Sequence, residues 1–220
     1  MNIEQVRFNM VEQQIRTWDV LDTDVLDLLH TLKRENFVPP TQREFALMDV
    51  ELPLSSIASS QLMWSPKLEA RVAQDVDLHG FEHVLEVGTG SGYLTALLAS
   101  RSAKVTSVEI SPALAQFAVA NLAKAGIANA WVETGDAARG WTARAPYDVI
   151  VFTGSMEVMP DEVLAQLKPG GKIFAILGKA PVMRAQLITV TANGGRAERT
   201  LFETVVAPLT NAALAPGFVF

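Results

Sequence analysis

Between His83 and Ala99 the chain places three glycines at alternate positions, Gly88, Gly90 and Gly92, with Thr89 and Ser91 between them and the carboxylate of Glu86 two residues ahead. A short apolar strand signal (Val84, Leu85, Val87) runs into this turn, and helical apolar spacing (Leu94, Leu97, Leu98) follows it. Glycine tolerates positive φ and has no Cβ, so a flat or charged ligand can approach the backbone closely at the start of the helix. Such a turn suits a nucleotide-like cofactor. A dinucleotide fingerprint would need its last glycine where Tyr93 stands, whereas here that glycine comes one residue earlier, giving GxGxG. Glu86 points the same way: its charge would repel a pyrophosphate but not a zwitterionic amino-acid group.

About twenty residues beyond the first glycine of such a turn, an acid is expected to accept hydrogen bonds from ribose hydroxyls. The apolar stretch Val105 to Val108 ends there in Glu109. One strand further on, Trp131 to Glu133 leads into Gly135, Asp136 and Ala137. Acids at strand ends also serve as turn and cap carboxylates. The glycine turn upstream favours cofactor contact for Glu109 and Asp136. Taken together, this order resembles the S-adenosylmethionine-dependent methyltransferases. That resemblance implies Glu86 near the methionine end, Glu109 on the ribose, and Asp136 at the adenine amino group with the Ala137 amide on the same edge.

To hold these residues on one edge, the chain must alternate strand and helix from His83 onward, which calls for a parallel sheet covered on both faces. Ser111-Pro112 opens the second helix and Gly126 ends it. Tyr147 to Phe152 reads as a strand, Pro160 to Leu167 as a short helix, and Lys172 to Leu177 as the strand after a Pro169-Gly170-Gly171 turn. Ala185 to Thr191 and Thr200 to Val206 flank Asn193-Gly194-Gly195, a hairpin signal that adds antiparallel strands at the sheet edge. The expected fold is therefore α/β, a Rossmann-like seven-stranded methyltransferase sheet with an antiparallel edge hairpin and an N-terminal helical appendage.

Ahead of the sheet, Val6, Met10 and Ile15 mark one helix, and Val25, Leu28, Leu29 and Leu32 mark a second that ends before Phe37-Val38-Pro39-Pro40. Thr41 to Ser65 reads as irregular, with serines at 55, 56, 59 and 60. Pro66 then opens a helix with Leu68, Val72 and Val76 on one side. These boundaries divide the chain into residues 1–65, a helical and substrate-loop region, and 66–220, the cofactor-binding core.

With 220 residues, 49% of them hydrophobic, the chain can bury a full core without staples. A net charge of −6 argues against a nucleic-acid partner, and the lack of cysteine excludes disulfides, thiol nucleophiles and Cys-based zinc sites. His30, His79 and His83 lie outside every motif and read as surface or helix-end residues, so no metal site is expected. The amino terminus has no basic segment followed by an apolar core, and no apolar stretch approaches a membrane span. A cytoplasmic protein that does not engage a membrane is expected. The oligomeric state stays open.

Six stretches, the glycine turn among them, occur in order along the chain: MVEQQIRTWDVLD from Met10, KRENFVPP from Lys33, ALMDVELPL from Ala46, VLEVGTGSGYLTALLA from Val84, APYDVIVFTGS from Ala145 and QLKPGGKI from Gln166. Over nearly the whole chain they resemble the protein-L-isoaspartate O-methyltransferase family. The resemblance implies transfer of a methyl group from S-adenosylmethionine, leaving S-adenosylhomocysteine, to the carboxylate of isoaspartyl residues in damaged proteins or peptides. A carboxylate is already ionised at neutral pH, so it attacks without a general base. The chain departs from the family where members carry Gln-Thr-Ile-Ser-Gln-Pro, whose serine helps to hold the substrate. Here the run is Gln61-Leu62-Met63-Trp64-Ser65-Pro66, with Trp64 in the serine's place and Ser65 one residue late. Trp64 could pack the cleft or face the acceptor and the sulfonium; Ser65 could replace the serine if the loop shifts. A different protein or small-molecule acceptor, and a non-catalytic binding module, remain as alternatives, while a nicotinamide oxidoreductase is disfavoured by the glycine spacing.

Overall fold

The computed structural model describes residues 2–55, 61–191 and 195–215. Helix α1 (Ile3–Met10) starts where the Asn2 side chain accepts the Glu4 amide, and it continues through a wider turn over Val11–Ile15. Helix α2 (Thr23–Thr31) is capped by Asp22, whose carboxylate accepts the amides of Asp24 and Val25. The segment expected to be irregular contains a two-residue ladder, β1 (Leu52–Pro53) against β2 (Leu62–Met63), antiparallel. Ser56, Ser59 and Ser60 lie outside the described residues. Helix α3 (Pro66–Asp75) follows with proline in its first turn.

From there β3 (His83–Val87), α4 (Tyr93–Ala99), β4 (Lys104–Glu109), α5 (Pro112–Lys124), β5 (Ala130–Thr134) and β6 (Tyr147–Met156) alternate as expected. Then come α6 (Asp161–Leu164), β7 (Leu167–Lys179), β8 (Val182–Val190) and β9 (Arg196–Thr204). The seven strands lie in the order β5-β4-β3-β6-β7-β8-β9, parallel from β5 to β7 and antiparallel for β8 and β9. From neighbouring β3 and β6 the chain moves in opposite directions across the sheet, to β4 and to β7 respectively, which opens a crevice beyond their carboxyl ends; that is where ligands bind in sheets of this kind.

Two strand boundaries differ from the sequence pattern. Pro169-Gly170-Gly171 is not a turn before a strand but an irregularity inside β7, where pairing with β6 steps from Tyr147↔Leu167 to Val149↔Lys172. A second irregularity in β6, between Val151 and Ser155, lifts Thr153 and Gly154 out of the ladder at the crevice. Asn193 and Gly194 of the hairpin turn lie outside the described residues.

One buried cluster contains residues of α1 and α2 (Met10, Val25, Leu29), Trp64, α3 (Leu68, Val72) and the sheet (Val84, Val149, Phe174). Buried Arg7 joins this layer through a bidentate pair with Glu35, at 3.0 and 2.6 Å, so its charge is matched where water is excluded. His83 corrects an expectation: it is buried, not on the surface. As the first residue of central strand β3, its ring lies 4.7 Å from that of Tyr147, with Nε2 3.1 Å from Thr106 Oγ1. Burial holds its pKa down to about 4, so it is neutral at physiological pH.

Candidate functional site

The crevice holds a cleft lined by Trp64, Glu86, Gly88, Thr89, Gly90, Ser91, Glu109, Asp136 and Ala137. Chain segments far apart in sequence meet there because β3, β4 and β5 all end on the same edge. Gly88, Gly90 and Gly92 have φ of +96°, +54° and +83°, and the Gly88 amide donates to the Val108 carbonyl at 2.8 Å. The turn is thus tied to the neighbouring strand. Gly92 does not line the cleft; a Cβ there would lie 3.3 Å from Ala118 and Leu122, so its role is to let α4 pack on α5.

Glu86 is fully buried, and its Oε2 accepts the hydroxyls of Thr95 at 2.5 Å and Ser107 at 2.6 Å. Thr89 Oγ1 lies 2.5 Å from Ser107 Oγ, which extends the network to the glycine turn. Glu86 Oε1 receives no hydrogen bond. Desolvation, with a smaller push from Glu109 and Glu69, raises the Glu86 carboxyl to about 8 against the pull of its two hydroxyl donors.

Glu109 accepts the Gly90 amide on Oε2 at 2.9 Å and the Ser111 amide on Oε1 at 3.0 Å. Each oxygen keeps a lone pair for a further donor. Asp136 accepts the Ala138 amide at 3.0 Å and the Asn211 side-chain amide at 2.7 Å. Trp64 is 6% exposed, belongs to the core and also forms part of the cleft wall. Ser65 is not in that wall. It precedes α3 and opens instead on a second hollow beside Trp18, Lys67 and Arg71.

Several residues of the site carry no sequence signal. Arg34, fully buried, donates from Nη2 to the Trp64 carbonyl and from Nη1 to Met63 Sδ at 3.3 Å, and its guanidinium lies 5.6 Å from the Tyr93 ring centre. It anchors the segment that carries Trp64. Glu69, in the first turn of α3, enters the cleft wall beside Glu86. Ala207 to Thr210 close the far side: the Ser155 amide donates to Ala207 and the Leu209 amide to Ser155, both at 3.0 Å.

Comparison with known proteins agrees with this geometry. The family described as Protein-L-isoaspartate(D-aspartate) O-methyltransferase (PCMT) matches residues 5–213. Protein-L-isoaspartate O-methyltransferase 2 of Anaeromyxobacter sp. (strain Fw109-5) is 38% identical over 198 residues, covering 89% of this chain and 79% of the relative. The Brucella anthropi protein-L-isoaspartate O-methyltransferase is 35% identical over 209 residues, 94% of each chain. A solved structure of a putative protein-L-isoaspartate O-methyltransferase from Plasmodium falciparum, in complex with S-adenosyl-L-homocysteine, superposes with a TM-score of 0.76 at 18% identity, covering 96% of this chain and 99% of that one. At that identity the superposition speaks for the fold alone. The family match over nearly the whole length, with relatives above a third identical, shows that this chain belongs to the protein-L-isoaspartate O-methyltransferase family.

Proposed function

We propose that the protein is an S-adenosylmethionine-dependent carboxyl O-methyltransferase acting on isoaspartyl residues of damaged proteins. The observation that carries it is the cleft itself, where a glycine turn and the acids at the ends of β3, β4 and β5 converge in a chain of this family. The residues present fit the cofactor. Gly88 and Gly90 bring bare backbone to the cleft, Glu109 has free lone pairs for ribose hydroxyls, and the unpaired Glu86 Oε1 suits a cationic amino-acid end. Asp136 and the Ala137 amide take the adenine edge.

When bound, S-adenosylmethionine supplies an electrophilic methyl group on a positively charged sulfur. The protein's own task is then alignment and exclusion of water, for which effective molarity can lower the barrier by about 7 to 11 kcal/mol. Arg34 fixes the Trp64 segment over the cleft, and Trp64 with Leu54, Leu62 and Met63 gives that wall an apolar lining. Methyl transfer to an isoaspartyl peptide, compared with its aspartyl twin, tests the proposal. Labelling of the isoaspartyl peptide alone supports it, and equal or absent labelling of both opposes it.

Trp64 favours a second reading, in which the same cofactor serves another protein or small-molecule acceptor, because its indole occupies the wall from which a serine hydroxyl would reach the substrate. Cofactor binding without labelling of the peptide would support that reading. Cofactor binding with no transfer to any carboxylate offered would instead mark a non-catalytic module.

A further inference from the structure

Glu69 takes no part in the function argued so far. It is 3% exposed, and it shares the cleft wall with fully buried Glu86. Glu69 Oε2 receives no hydrogen bond, and neither does Glu86 Oε1. The nearest cation, Arg34, brings Nη2 to 3.5 Å from that Oε2, an ion pair that makes no hydrogen bond, while the same Nη2 points an N–H at the Trp64 carbonyl and Nη1 points one at Met63. A buried carboxylate oxygen without a donor is costly. Two such oxygens in one wall call for a shared cation with several N–H groups.

We propose that Glu69 is a second carboxylate for the α-ammonium of the cofactor's methionyl end, so that one ammonium meets both Glu69 and Glu86. The inference rests on the cofactor reading above and extends it to a residue outside every motif. An ammonium carries three donors and matches two acceptors, whereas the sulfonium has no N–H to give. The isoaspartyl acceptor is excluded as the ligand of this pair, because it presents a carboxylate of its own.

The electrostatics agree. Desolvation raises Glu69 to about 7 despite the attraction of Arg34, and Glu86 to about 8. Facing them are Glu109 and the buried, neutral Tyr93, with the Arg7–Glu35 pair acting on Tyr93 from further off. Near neutral pH the pair is therefore only partly ionised, and an arriving ammonium favours the ionised form and displaces the proton that remains into solvent.

Titration calorimetry with S-adenosylhomocysteine and with 5′-methylthioadenosine, which lacks the amino-acid end, separates the possibilities. In wild type at pH 7.5, S-adenosylhomocysteine should bind with proton release, read from the dependence of the heat on the buffer's ionisation enthalpy, and 5′-methylthioadenosine without it. Glu69→Gln should weaken S-adenosylhomocysteine by about ten- to a hundredfold, the scale of a charged hydrogen bond. The same variant should bind 5′-methylthioadenosine within about twofold of wild type and release fewer protons with the full ligand, as no loss of mere packing would. Glu69→Asp keeps the charge beside Arg34 and withdraws it from the cleft; it should show the same pattern more weakly, and it serves if the glutamine variant does not fold. Equal losses for both ligands, or an unchanged affinity for S-adenosylhomocysteine, overturn the proposal while leaving the cofactor reading intact. Wild-type protein that binds neither nucleoside overturns both.

Discussion

Replacing Gly88 by alanine should damage the protein far more than the same change at Gly90, although the two stand in one turn. At Gly88, φ is +96°, and an added Cβ would lie 2.2 Å from Thr153 Oγ1. That hydroxyl cannot simply turn away, because it donates to the carbonyls of Val87 at 2.7 Å and Gly88 at 2.6 Å and closes the gap left by the irregularity in β6. The left-handed backbone costs about 1 to 2 kcal/mol for an L side chain, and losing the threonine hydrogen bond adds about 1 to 2 more. The sum, about 2 to 4 kcal/mol, lowers the melting temperature of a chain of this size by about 5 to 15 °C. At Gly90, φ is +54° and the new Cβ meets only Leu54 Cδ1 at 3.3 Å, the end of a flexible side chain. There the loss should be about 1 kcal/mol, or about 2 to 4 °C. Calorimetric melting of the two variants beside wild type is the assay. A Gly88→Ala protein that melts at or above Gly90→Ala would show that Thr153 does not set the limit of this turn.

Trp64→Ser should lower the melting temperature by an amount corresponding to about 3 to 5 kcal/mol, because the indole is 6% exposed within the core, and methyl transfer should fall with it. A serine variant that melts as wild type and methylates an isoaspartyl peptide faster would instead assign Trp64 to acceptor exclusion. Asp136→Ala should weaken S-adenosylhomocysteine by about 1 to 3 kcal/mol and free the Asn211 side chain. If adenosyl and inosyl analogues keep their wild-type ratio in that variant, the adenine contact is elsewhere. Stability should depend on pH in a defined sense: Glu69 and Glu86 are raised to about 7 and 8 from 4.5, so the folded protein binds more protons than the unfolded chain in that interval and loses stability as pH rises. His83, held down to about 4 from 6.5, acts oppositely at lower pH, so above pH 6.5 the carboxylates prevail. Melting of the ligand-free protein should therefore fall from pH 6.5 to 8, by at most about 1.4 kcal/mol per unit for each carboxylate, and Glu86→Gln should flatten the slope; a rising profile in wild type would contradict the assignment.

The parts of the site that were legible in the sequence are those made by local rules. A glycine turn between a strand and a helix, with acids where the next two strands end, has nearly the same geometry wherever it occurs, so Glu86, Gly88, Glu109 and Asp136 could be placed before any packing was known. Glu69 could not. An acid in the first turn of a helix ordinarily faces water and favours the helix dipole, and only the packing of α3 on the sheet turns this one inward. His83 misled for a related reason, since the first residue of a strand reads as a boundary but here lies between β4 and β6. Arg34 sits among polar neighbours in sequence, Arg7 between Val6 and Phe8, and the burial of both follows from the partners that long-range folding supplies. Gly92 was legible as a glycine but not as a spacer between two helices, because Ala118 and Leu122 come from the next helix along.

The bond from Arg34 to the Trp64 carbonyl has a bearing on how such a protein can change over generations. A guanidinium that grips the main chain is indifferent to the side chain of the residue it grips, and the neighbouring grip on Met63 needs only a soft, flexible atom. Position 64 can therefore exchange its indole for another side chain of similar bulk while its peptide stays at the rim of the cleft, and the glycine turn and its acids, carried by other strands, need not respond. Selection for a new acceptor could act on this one segment while the apparatus for the methyl donor is inherited unchanged.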